Sequence, residues 1–218
     1  MPPSARQPRP PQVSVSRGSA AILLLILSLL AACSPGPEPL SPLGADAVIL
    51  AFGDSLTAGT GADAGASFPA ALEQLTGRRV INAGHPGERS AEGLARLPTL
   101  LDEHRPDLLI LTHGGNDLLR RMDTDQTRDN VAEMVRLARS QGVDVLLVAV
   151  PAPTLLRLRS EPIYAGIADE FRIPLEDGAL AHILSRDALK ADPIHPNAAG
   201  YRVLAERIHE LLERSGAL

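Results

Sequence analysis

The chain of 218 residues contains no tryptophan, only 2% aromatic residues, and a formal net charge of −5. Proteins that bind single-stranded nucleic acid stack its bases on aromatic side chains, and the phosphate backbone favours a basic protein surface. Both features are lacking, so the composition argues against nucleic acid as a partner. Hydrophobic residues still make up 44% of the chain, which is ordinary for a globular protein. The core must therefore be built mainly from aliphatic side chains.

Metal ligands are also scarce. Cys33 is the only cysteine, and its position at the end of an apolar run explains it without redox chemistry. Apart from His195, which is considered below, no histidine has a ligand spacing with a second histidine or cysteine. We therefore predict no metal site and no cofactor. The remaining histidines are interpreted as surface or packing residues, and they are His85, His104, His113, His182 and His209.

The N-terminal segment has the composition of an export signal. Arginines give it positive charge, and an apolar run covers residues 20–32. A membrane-spanning helix needs about 20 apolar residues, so this run is short for one. It ends as Leu30-Ala31-Ala32-Cys33, which resembles a bacterial lipobox. The resemblance implies a lipoprotein signal peptide over residues 1–32, with cleavage before a diacylglyceryl-modified Cys33.

Two other interpretations of this segment stay open, namely a plain signal peptide with a free cysteine at its edge and an uncleaved anchor. A lipidated Cys33 would attach the protein to a membrane. Ser34 follows it, whereas an aspartate at that position would resemble an inner-membrane retention signal. We therefore expect the protein in the bacterial cell envelope, anchored by lipid at the periplasmic face of the outer membrane.

Proline is concentrated just after Cys33. Residues 34–42 read SPGPEPLSP, a composition typical of stiff, extended linkers. We predict that residues 33–45 form the lipidated cysteine and a tether with no buried face, which holds the following domain away from the bilayer. Residues 46–218 are expected to form one domain of ordinary size.

Apolar runs alternate with helical patterns through this domain, which favours an α/β fold with a parallel sheet covered on both faces. The spacing of Val131, Met134, Val135 and Ala138 predicts a helix between the third and fourth strands. A similar stripe predicts a C-terminal helix, with Val203, Leu204, Ile208, Leu211 and Leu212 on one face. The predicted strands cover residues 47–52, 79–82, 108–112, 143–150 and 173–175.

Ser55 follows the first predicted strand, and His195 lies near the end of the chain in Asp192-Pro193-Ile194-His195. A serine hydroxyl is a poor nucleophile at neutral pH unless a neighbouring base accepts its proton. Histidine can be that base, and a carboxylate can fix its tautomer. Asp192 precedes His195 by only three positions, so both side chains can extend from one turn. The pattern predicts a catalytic triad of Ser55, His195 and Asp192 that hydrolyses esters.

Acyl transfer also needs hydrogen-bond donors for the charge that develops on the carbonyl oxygen. Glycine lets the backbone approach a substrate closely, and Gly87 follows the second predicted strand, with Gly84 as an alternative. Asn116 follows the third strand and offers a side-chain amide. Open parallel sheets bind ligands at the edge where these strands end. We assign the donors to the Ser55 N–H, the Gly87 N–H and the Asn116 side chain.

Two aspartates neighbour these residues. Asp54 precedes Ser55, and Asp117 follows Asn116. We expect both carboxylates to hold loops in place rather than to take part in the chemistry.

Four sequence blocks occur in the order typical of the SGNH (GDSL) hydrolases, and the chain resembles this family over roughly residues 46–215. The resemblance is greatest for bacterial thioesterases, arylesterases and lysophospholipases, through Asn82-Ala83 with Gly87 and through Gly93-Leu94-Ala95-Arg96-Leu97-Pro98. The four blocks are Gly53-Asp54-Ser55-Leu56, Gly87, Gly115-Asn116-Asp117 and Asp192-x-x-His195.

This resemblance implies a flavodoxin-like, three-layer α/β/α sandwich with a five-stranded parallel sheet. It also implies Ser55 as the nucleophile, His195 as its base, Asp192 as the partner of the base, and Gly87 and Asn116 as oxyanion donors. The activity it implies is that of a serine esterase acting on small-molecule esters, thioesters or lipids. We expect the protein to be a monomer.

Two other functions stay open. One is a carbohydrate esterase that removes O-acetyl groups from envelope glycans, and the other is a catalytically silent lipoprotein that binds an envelope partner. Leucines and a methionine after the third and fourth strands could line an acyl groove or belong to ordinary packing. They are Leu118, Leu119, Met122, Leu155 and Leu156. Arg120 and Arg121 could meet a phosphate or carboxylate of the substrate, or could be solvated surface.

Overall fold

Five apolar segments of the chain form a parallel β-sheet at the centre of the fold. The computed structural model describes residues 36–152 and 159–218. The sheet order is β2-β1-β3-β4-β7, with every neighbouring pair parallel. Its strands are β1 (Val48–Gly53), β2 (Arg79–Gly84), β3 (Leu108–Thr112), β4 (Asp144–Val148) and β7 (Leu175–Glu176), and β5 (Pro151–Ala152) pairs antiparallel with β6 (Arg159–Ser160).

The first three strands end level with one another. Gly53, the last residue of β1, is paired in register with Gly84 of β2 on one side and with Thr112 of β3 on the other. The loops that leave these strands therefore start at the same height on the carboxyl edge of the sheet. Ligands bind at this edge in open parallel sheets.

Helices cover the two faces of the sheet in two groups. The helix Ala198–Arg214 packs on Phe68–Thr76 and Ala179–Leu184, and the helix Thr124–Ser140 packs on Ser90–His104 and Pro162–Phe171. The described helices are α1 (Ser55–Ala58), α2 (Phe68–Thr76), α3 (Ser90–His104), α4 (Gly115–Leu119), α5 (Thr124–Ser140), α6 (Pro162–Phe171), α7 (Ala179–Leu184) and α8 (Ala198–Arg214), with short 3₁₀ turns at Ala64–Ala66 and Asp187–Leu189. The predicted three-layer α/β/α sandwich is thereby confirmed.

The core is aliphatic, as the composition predicts. All of β3 is buried, and β1 and β4 are buried except at their first residues, as expected for strands that are covered on both faces. The predicted stripe of α5 is fully buried at Val131, Met134, Val135 and Ala138. On α8, Leu204, Ile208 and Leu212 are buried, and Val203 and Leu211 are partly buried against the core.

Four of the five strand predictions differ from the structure in their bounds. The first strand is Val48–Gly53 rather than residues 47–52, and the second extends to Gly84 rather than ending at residue 82. The fifth strand of the sheet is Leu175–Glu176 rather than residues 173–175, and β4 ends at Val148 rather than at residue 150. The antiparallel pair of β5 and β6 was not expected at all. Strands of two residues are too short to show the alternation by which a strand is recognised in a sequence.

The domain also begins earlier than the predicted boundary at residue 46. Leu40 and Leu43 belong to the hydrophobic core, with only 7% and 8% of their surfaces exposed. The Leu40 N–H donates to Ser215 O, and the Leu43 N–H donates to Ala217 O, both at 2.8 Å. The second half of the expected tether is therefore packed against the C-terminal residues. The proline-rich composition of the segment does not indicate that its two leucines pack into the hydrophobic core.

Within residues 36–152 and 159–218, no helix is long and apolar enough to cross a membrane. The predicted signal peptide over residues 1–32 and the predicted lipidation site at Cys33 lie outside the described residues.

If Leu40 anchors this segment, Leu40→Ala should lower the free energy of unfolding by about 2–4 kcal/mol, because it removes buried methyl groups and leaves a cavity. Urea unfolding measures the change. Ser41→Ala is the matched control, since the Ser41 side chain is exposed and only its N–H is bonded, to Asp144. Equal losses in the two variants, or no loss in Leu40→Ala, would contradict the packing of this segment.

Candidate active site

Three side chains that are distant in sequence meet at the carboxyl edge of the sheet. Oγ of Ser55 lies 3.1 Å from Nε2 of His195. On the other side of the imidazole, Nδ1 lies 2.7 Å from Oδ2 of Asp192. A carboxylate can only accept, so we assign the ring proton to Nδ1, which leaves Nε2 free to accept from the serine hydroxyl. The arrangement can remove a proton from Ser55.

A tight turn holds Asp192 and His195 together. The second carboxylate oxygen of Asp192 accepts hydrogen bonds from the N–H groups of Ile194 at 2.8 Å and His195 at 2.9 Å. A backbone bridge between Lys190 and Pro196 closes the base of the turn. Desolvation would raise the pKa of Asp192, but its hydrogen bonds to His195 and Ile194 lower that pKa below the ordinary value. Asp192 is therefore a charged partner for the imidazole at neutral pH.

Ser55 is the first residue of α1 and follows β1 directly. Asp54 caps this helix, because its Oδ1 accepts from the Leu56 N–H at 3.0 Å. Asp54 is 1% exposed, and burial raises the pKa of its carboxyl in spite of the opposing effects of His113 and the Leu56 N–H. These are the contacts of a residue that holds a loop in place, as expected from the sequence.

The Asn116 amide lies in the same cleft as Ser55 and His195. Its Nδ2 donates to the backbone oxygen of Glu88 at 3.1 Å and to Oδ2 of Asp54 at 3.3 Å. Asn116 is thus tied both to the loop that precedes Ser55 and to the loop that follows β2. These two bonds use both hydrogens of the amide, so Nδ2 can donate to a group bound at the serine only by sharing or exchanging the longer bond, to Asp54.

Gly87 occupies a more peripheral position than Ser55 and Asn116. Its backbone is in the left-handed region with φ at +81°, it is exposed, and it is not among the residues that line the cleft. Its carbonyl oxygen accepts from Nη2 of Arg120 at 3.4 Å. Within the described ranges, neither the Gly87 N–H nor the Ser55 N–H donates to another group of the protein. Both N–H groups can therefore be offered to a substrate.

The cleft beside Ser55 and His195 is lined mainly by apolar side chains. Leu119 and Ile194 lie at its opening, with 43% and 40% of their surfaces exposed. The apolar lining includes Leu56, Leu119, Val150, Pro151, Leu184 and Ile194. A hydrocarbon chain bound in this cleft would be removed from water.

Some of the residues that could line an acyl groove do line the cleft, and others do not. Leu119 lines the cleft, whereas Leu118 packs against the core and Met122 is exposed outside the lining. Arg121 is exposed. The remaining two, Leu155 and Leu156, lie outside the described residues.

A cluster of Glu88, Arg96 and His113 beneath the site, buried except for part of the Arg96 side chain, was not expected from the sequence. The Glu88 carboxylate accepts from Nε and Nη2 of Arg96 at 2.8 and 2.7 Å, and Nε2 of His113 lies 3.1 Å from its Oε2. Glu88 is 6% exposed and the His113 side chain is 0% exposed. Arg96 falls within the block Gly93 to Pro98 that carries the family resemblance, so this block was the available signal.

Asp117 holds a second buried set of hydrogen bonds. Its carboxylate accepts from the Ser90 N–H at 2.8 Å and from Ser90 Oγ at 2.7 Å, and Nδ2 of Asn130 donates to the same Oγ at 2.9 Å. The loop-holding role expected for Asp117 agrees with these contacts. They tie the start of α3 to the Asn116 loop and to α5.

The other histidines were interpreted as surface or packing residues. His113 is buried beneath the site, and His85 is exposed on the loop after β2. In the parts of the chain that the structure describes, no three or more His, Cys, Asp or Glu side chains are grouped so that they could hold a metal ion.

The chain is similar to several known proteins. The model of the GDSL-like lipase/acylhydrolase family matches residues 51–203. Esterase TesA of Pseudomonas aeruginosa is 34% identical over 175 residues, which cover 76% of this chain and 87% of that protein. Thioesterase 1/protease 1/lysophospholipase L1 of Escherichia coli is 31% identical over 172 residues, covering 76% of this chain and 83% of that protein.

A solved structure shows the same relationship. The crystal structure of AlinE4, an SGNH-hydrolase family esterase, superposes with a TM-score of 0.62 at 33% sequence identity. The superposition covers 79% of this chain and 98% of that one.

The ionised carboxylate of Glu88 should make the unfolding free energy of the protein depend on pH in acid. Burial would raise the pKa of Glu88, but hydrogen bonds from His113 and Arg96 and the charge of Arg96 lower it from 4.5 to about 2. A lowered carboxyl pKa stabilises the folded state above the unfolded value, and this stabilisation is lost as pH falls toward the folded value. The difference in unfolding free energy between the parent and Glu88→Gln should therefore have its full value above pH 4.5 and should decrease toward pH 2.

Urea unfolding of both proteins over this pH range measures the difference. Glu210→Gln is a control, because Glu210 pairs only with surface arginines and such pairs contribute little. If the difference in unfolding free energy between the parent and Glu88→Gln stays constant or increases as the pH falls, Glu88 is not the hydrogen-bonded, ionised carboxylate inferred here.

Proposed function

The chain belongs to the GDSL-like lipase/acylhydrolase family of SGNH hydrolases and is an ester-hydrolysing enzyme, and from this premise we propose that Ser55, His195 and Asp192 are its catalytic triad. The observation that carries the proposal is the continuous line of contacts from Ser55 Oγ through both imidazole nitrogens to the Asp192 carboxylate. The 3.1 Å contact is a hydrogen bond through which a proton can pass from Ser55 to His195, and the 2.7 Å contact lets Asp192 stabilise the imidazolium.

In this mechanism Ser55 Oγ attacks the carbonyl carbon of the ester while His195 Nε2 takes the hydroxyl proton. The imidazolium that results is stabilised by Asp192 through Nδ1. The C–O bond to the leaving group then breaks, and His195 returns the proton to that group, which leaves an acyl-enzyme on Ser55. A water molecule, deprotonated by His195, attacks the acyl group in turn and releases the acid and the free serine.

The carbonyl oxygen becomes negatively charged during both attacks. We assign its donors to the N–H groups of Ser55 and Gly87 and to Nδ2 of Asn116. The unengaged N–H groups of Ser55 and Gly87 and the position of Asn116 in the cleft support this assignment. One preorganised donor of this kind contributes about 10² to 10³ in turnover.

The lining of the cleft favours an acyl ester or thioester as the substrate. Leu56, Leu119, Val150, Leu184 and Ile194 surround the position next to Ser55. Apolar surface of this kind binds a hydrocarbon chain by excluding water from it. An acetylated sugar would instead place hydroxyl groups against surface that cannot hydrogen-bond them. The structure therefore supports acyl esters over O-acetyl groups of envelope glycans.

Ser55→Ala should lower turnover by about 10⁴ to 10⁶, because it removes the nucleophile. The assay compares p-nitrophenyl esters of short and long acyl chains with an acetylated glycan. We expect the parent to hydrolyse the acyl esters and to release no acetate from the glycan. Ser140→Ala, at the exposed end of α5, is the control and should keep parental rates. Parental rates for Ser55→Ala would refute a catalytic role for this serine, and acetate release from the glycan would support the carbohydrate esterase.

We also propose that lipid on Cys33 attaches the enzyme to the periplasmic face of the outer membrane. The support is the apolar run that ends as Leu30-Ala31-Ala32-Cys33, together with the position of Cys33 only three residues before Gly36, where the folded unit begins. The anchor would then be carried by a segment separate from the catalytic domain.

Cys33→Ala should move the protein from the membrane fraction to the soluble fraction, because the acceptor of the lipid is lost. Ser34→Asp should move it to the inner membrane, and Ser34→Ala, the control, should leave it in the outer membrane. Membrane fractionation with metabolic labelling by a fatty acid measures all three. A Cys33→Ala protein that still fractionates with membranes would contradict lipid anchoring.

A further inference from the structure

The cluster of Glu88, Arg96 and His113 contacts all three loops that carry the proposed oxyanion donors. We propose that this cluster fixes the direction of the Asn116 amide, and that Glu88 is a positioning residue acting through Asn116. The inference rests on the proposed function, because it concerns the same oxyanion hole. It adds a group that never touches the substrate but determines where the Asn116 amide points.

Glu88 connects two of the loops by itself. It follows Gly87 directly and so belongs to the loop after β2. Its backbone oxygen accepts from Nδ2 of Asn116 at 3.1 Å. The terminal torsion of an asparagine is broad, so its amide plane is set by its hydrogen-bond partners rather than by the rotamer. Glu88 O is one of the two partners that set it.

Arg96 connects the cluster to the strand ends. Its Nε and Nη2 hold the two carboxylate oxygens of Glu88, which is the bidentate geometry that best fixes a carboxylate. Nη2 also donates to Ala83 O at 3.0 Å and reaches Gly53 O at 3.5 Å. The guanidinium lies over the Phe52 ring at 4.4 Å. The end of β1, which leads into Ser55, is therefore joined to Glu88 through one side chain.

His113 connects the cluster to the Asn116 loop. The Gly114 N–H donates to His113 Nδ1 at 2.9 Å, so this nitrogen is unprotonated and the proton of the neutral ring is on Nε2. Nε2 consequently donates to Glu88 Oε2 at 3.1 Å. A Cβ atom on Gly93 would lie 2.3 Å from the same Nε2, so the contact needs a glycine at that position of α3. The side chain of Glu88 is thus held by donors from two directions.

These contacts explain why a charge is buried beneath a hydrolase site. An isolated buried carboxylate is unfavourable, whereas one with several charge-assisted donors is stable and resists reorientation. Oxyanion donors contribute only when they are in place before the charge develops. The cluster meets this requirement because its contacts fix the direction of the Asn116 amide before the reaction begins.

A double-mutant cycle tests the inference. In the parent, Glu88→Gln should lower kcat by about 10-fold with KM within about 2-fold, because transition-state stabilisation is lost and ground-state binding is retained. In the Asn116→Ala background, which should itself lose about 10² to 10³ in kcat, Glu88→Gln should change kcat by less than about 2-fold. A residue that acts through Asn116 has no further effect once Asn116 is gone.

Glu176→Gln is the matched control, because Glu176 is another buried glutamate and its carboxylate bonds instead to the Gly178 and Ala179 N–H groups. Its effect on kcat should be the same factor in both backgrounds. Thermal unfolding identifies the folded variants. If Glu88→Gln does not fold, Glu88→Asp replaces it, since it keeps the charge but is too short to meet both Arg96 and His113. It should show the same dependence on Asn116.

The outcomes separate the two proposals. Equal loss of kcat from the Glu88 variant in both backgrounds would overturn the positioning role of Glu88 and leave the proposed oxyanion hole standing. An unchanged kcat for Asn116→Ala alone would overturn the oxyanion role of Asn116 and this inference with it.

Discussion

The level ending of three parallel strands is the constraint on which the rest of the structure depends. Because Gly53, Gly84 and Thr112 are paired in register, the loops that follow them leave the sheet side by side. Ser55 and Asn116 come from two of these loops and share one cleft. The turn that precedes α8 brings His195 to the same cleft. No local feature of any loop would bring these groups together without the sheet. The apolar strands are therefore as necessary to the site as its polar residues.

In the described residues, the buried carboxylates of Glu88 and Asp117 lie near the carboxyl edge of this apolar sheet, and each accepts hydrogen bonds there. Glu88 meets Arg96 and His113, and Asp117 meets Ser90. Such groups would destabilise the fold if a partner were missing, so they restrict the loops to one arrangement. In an SGNH hydrolase this rigidity is useful, since donors for a developing negative charge must be in place before it forms.

The segment before β1 is accommodated at the opposite end of the sheet. The Ser41 N–H donates to Asp144, the first residue of β4, and Leu40 is bonded to Ser215 after α8. Among the described residues, this segment takes no part in the lining of the cleft at the carboxyl edge. The proline-rich composition predicted an extended segment, but it could not predict that Leu40 and Leu43 find a hydrophobic site, because that site is created by residues almost 180 positions away.

From the sequence alone we could predict the fold class, the approximate positions of the main strands along the chain and the triad candidates, since strand runs and the spacing of Asp192 and His195 are local patterns. The sequence also identified the SGNH family, because short blocks persist around reacting groups. The tertiary structure was needed to show that Leu119 rather than Leu118 lines the cleft. It was also needed to show that Glu88, Arg96 and His113 form one cluster. These outcomes depend on which surfaces meet across the fold, and contacts between distant segments leave no periodicity along the chain.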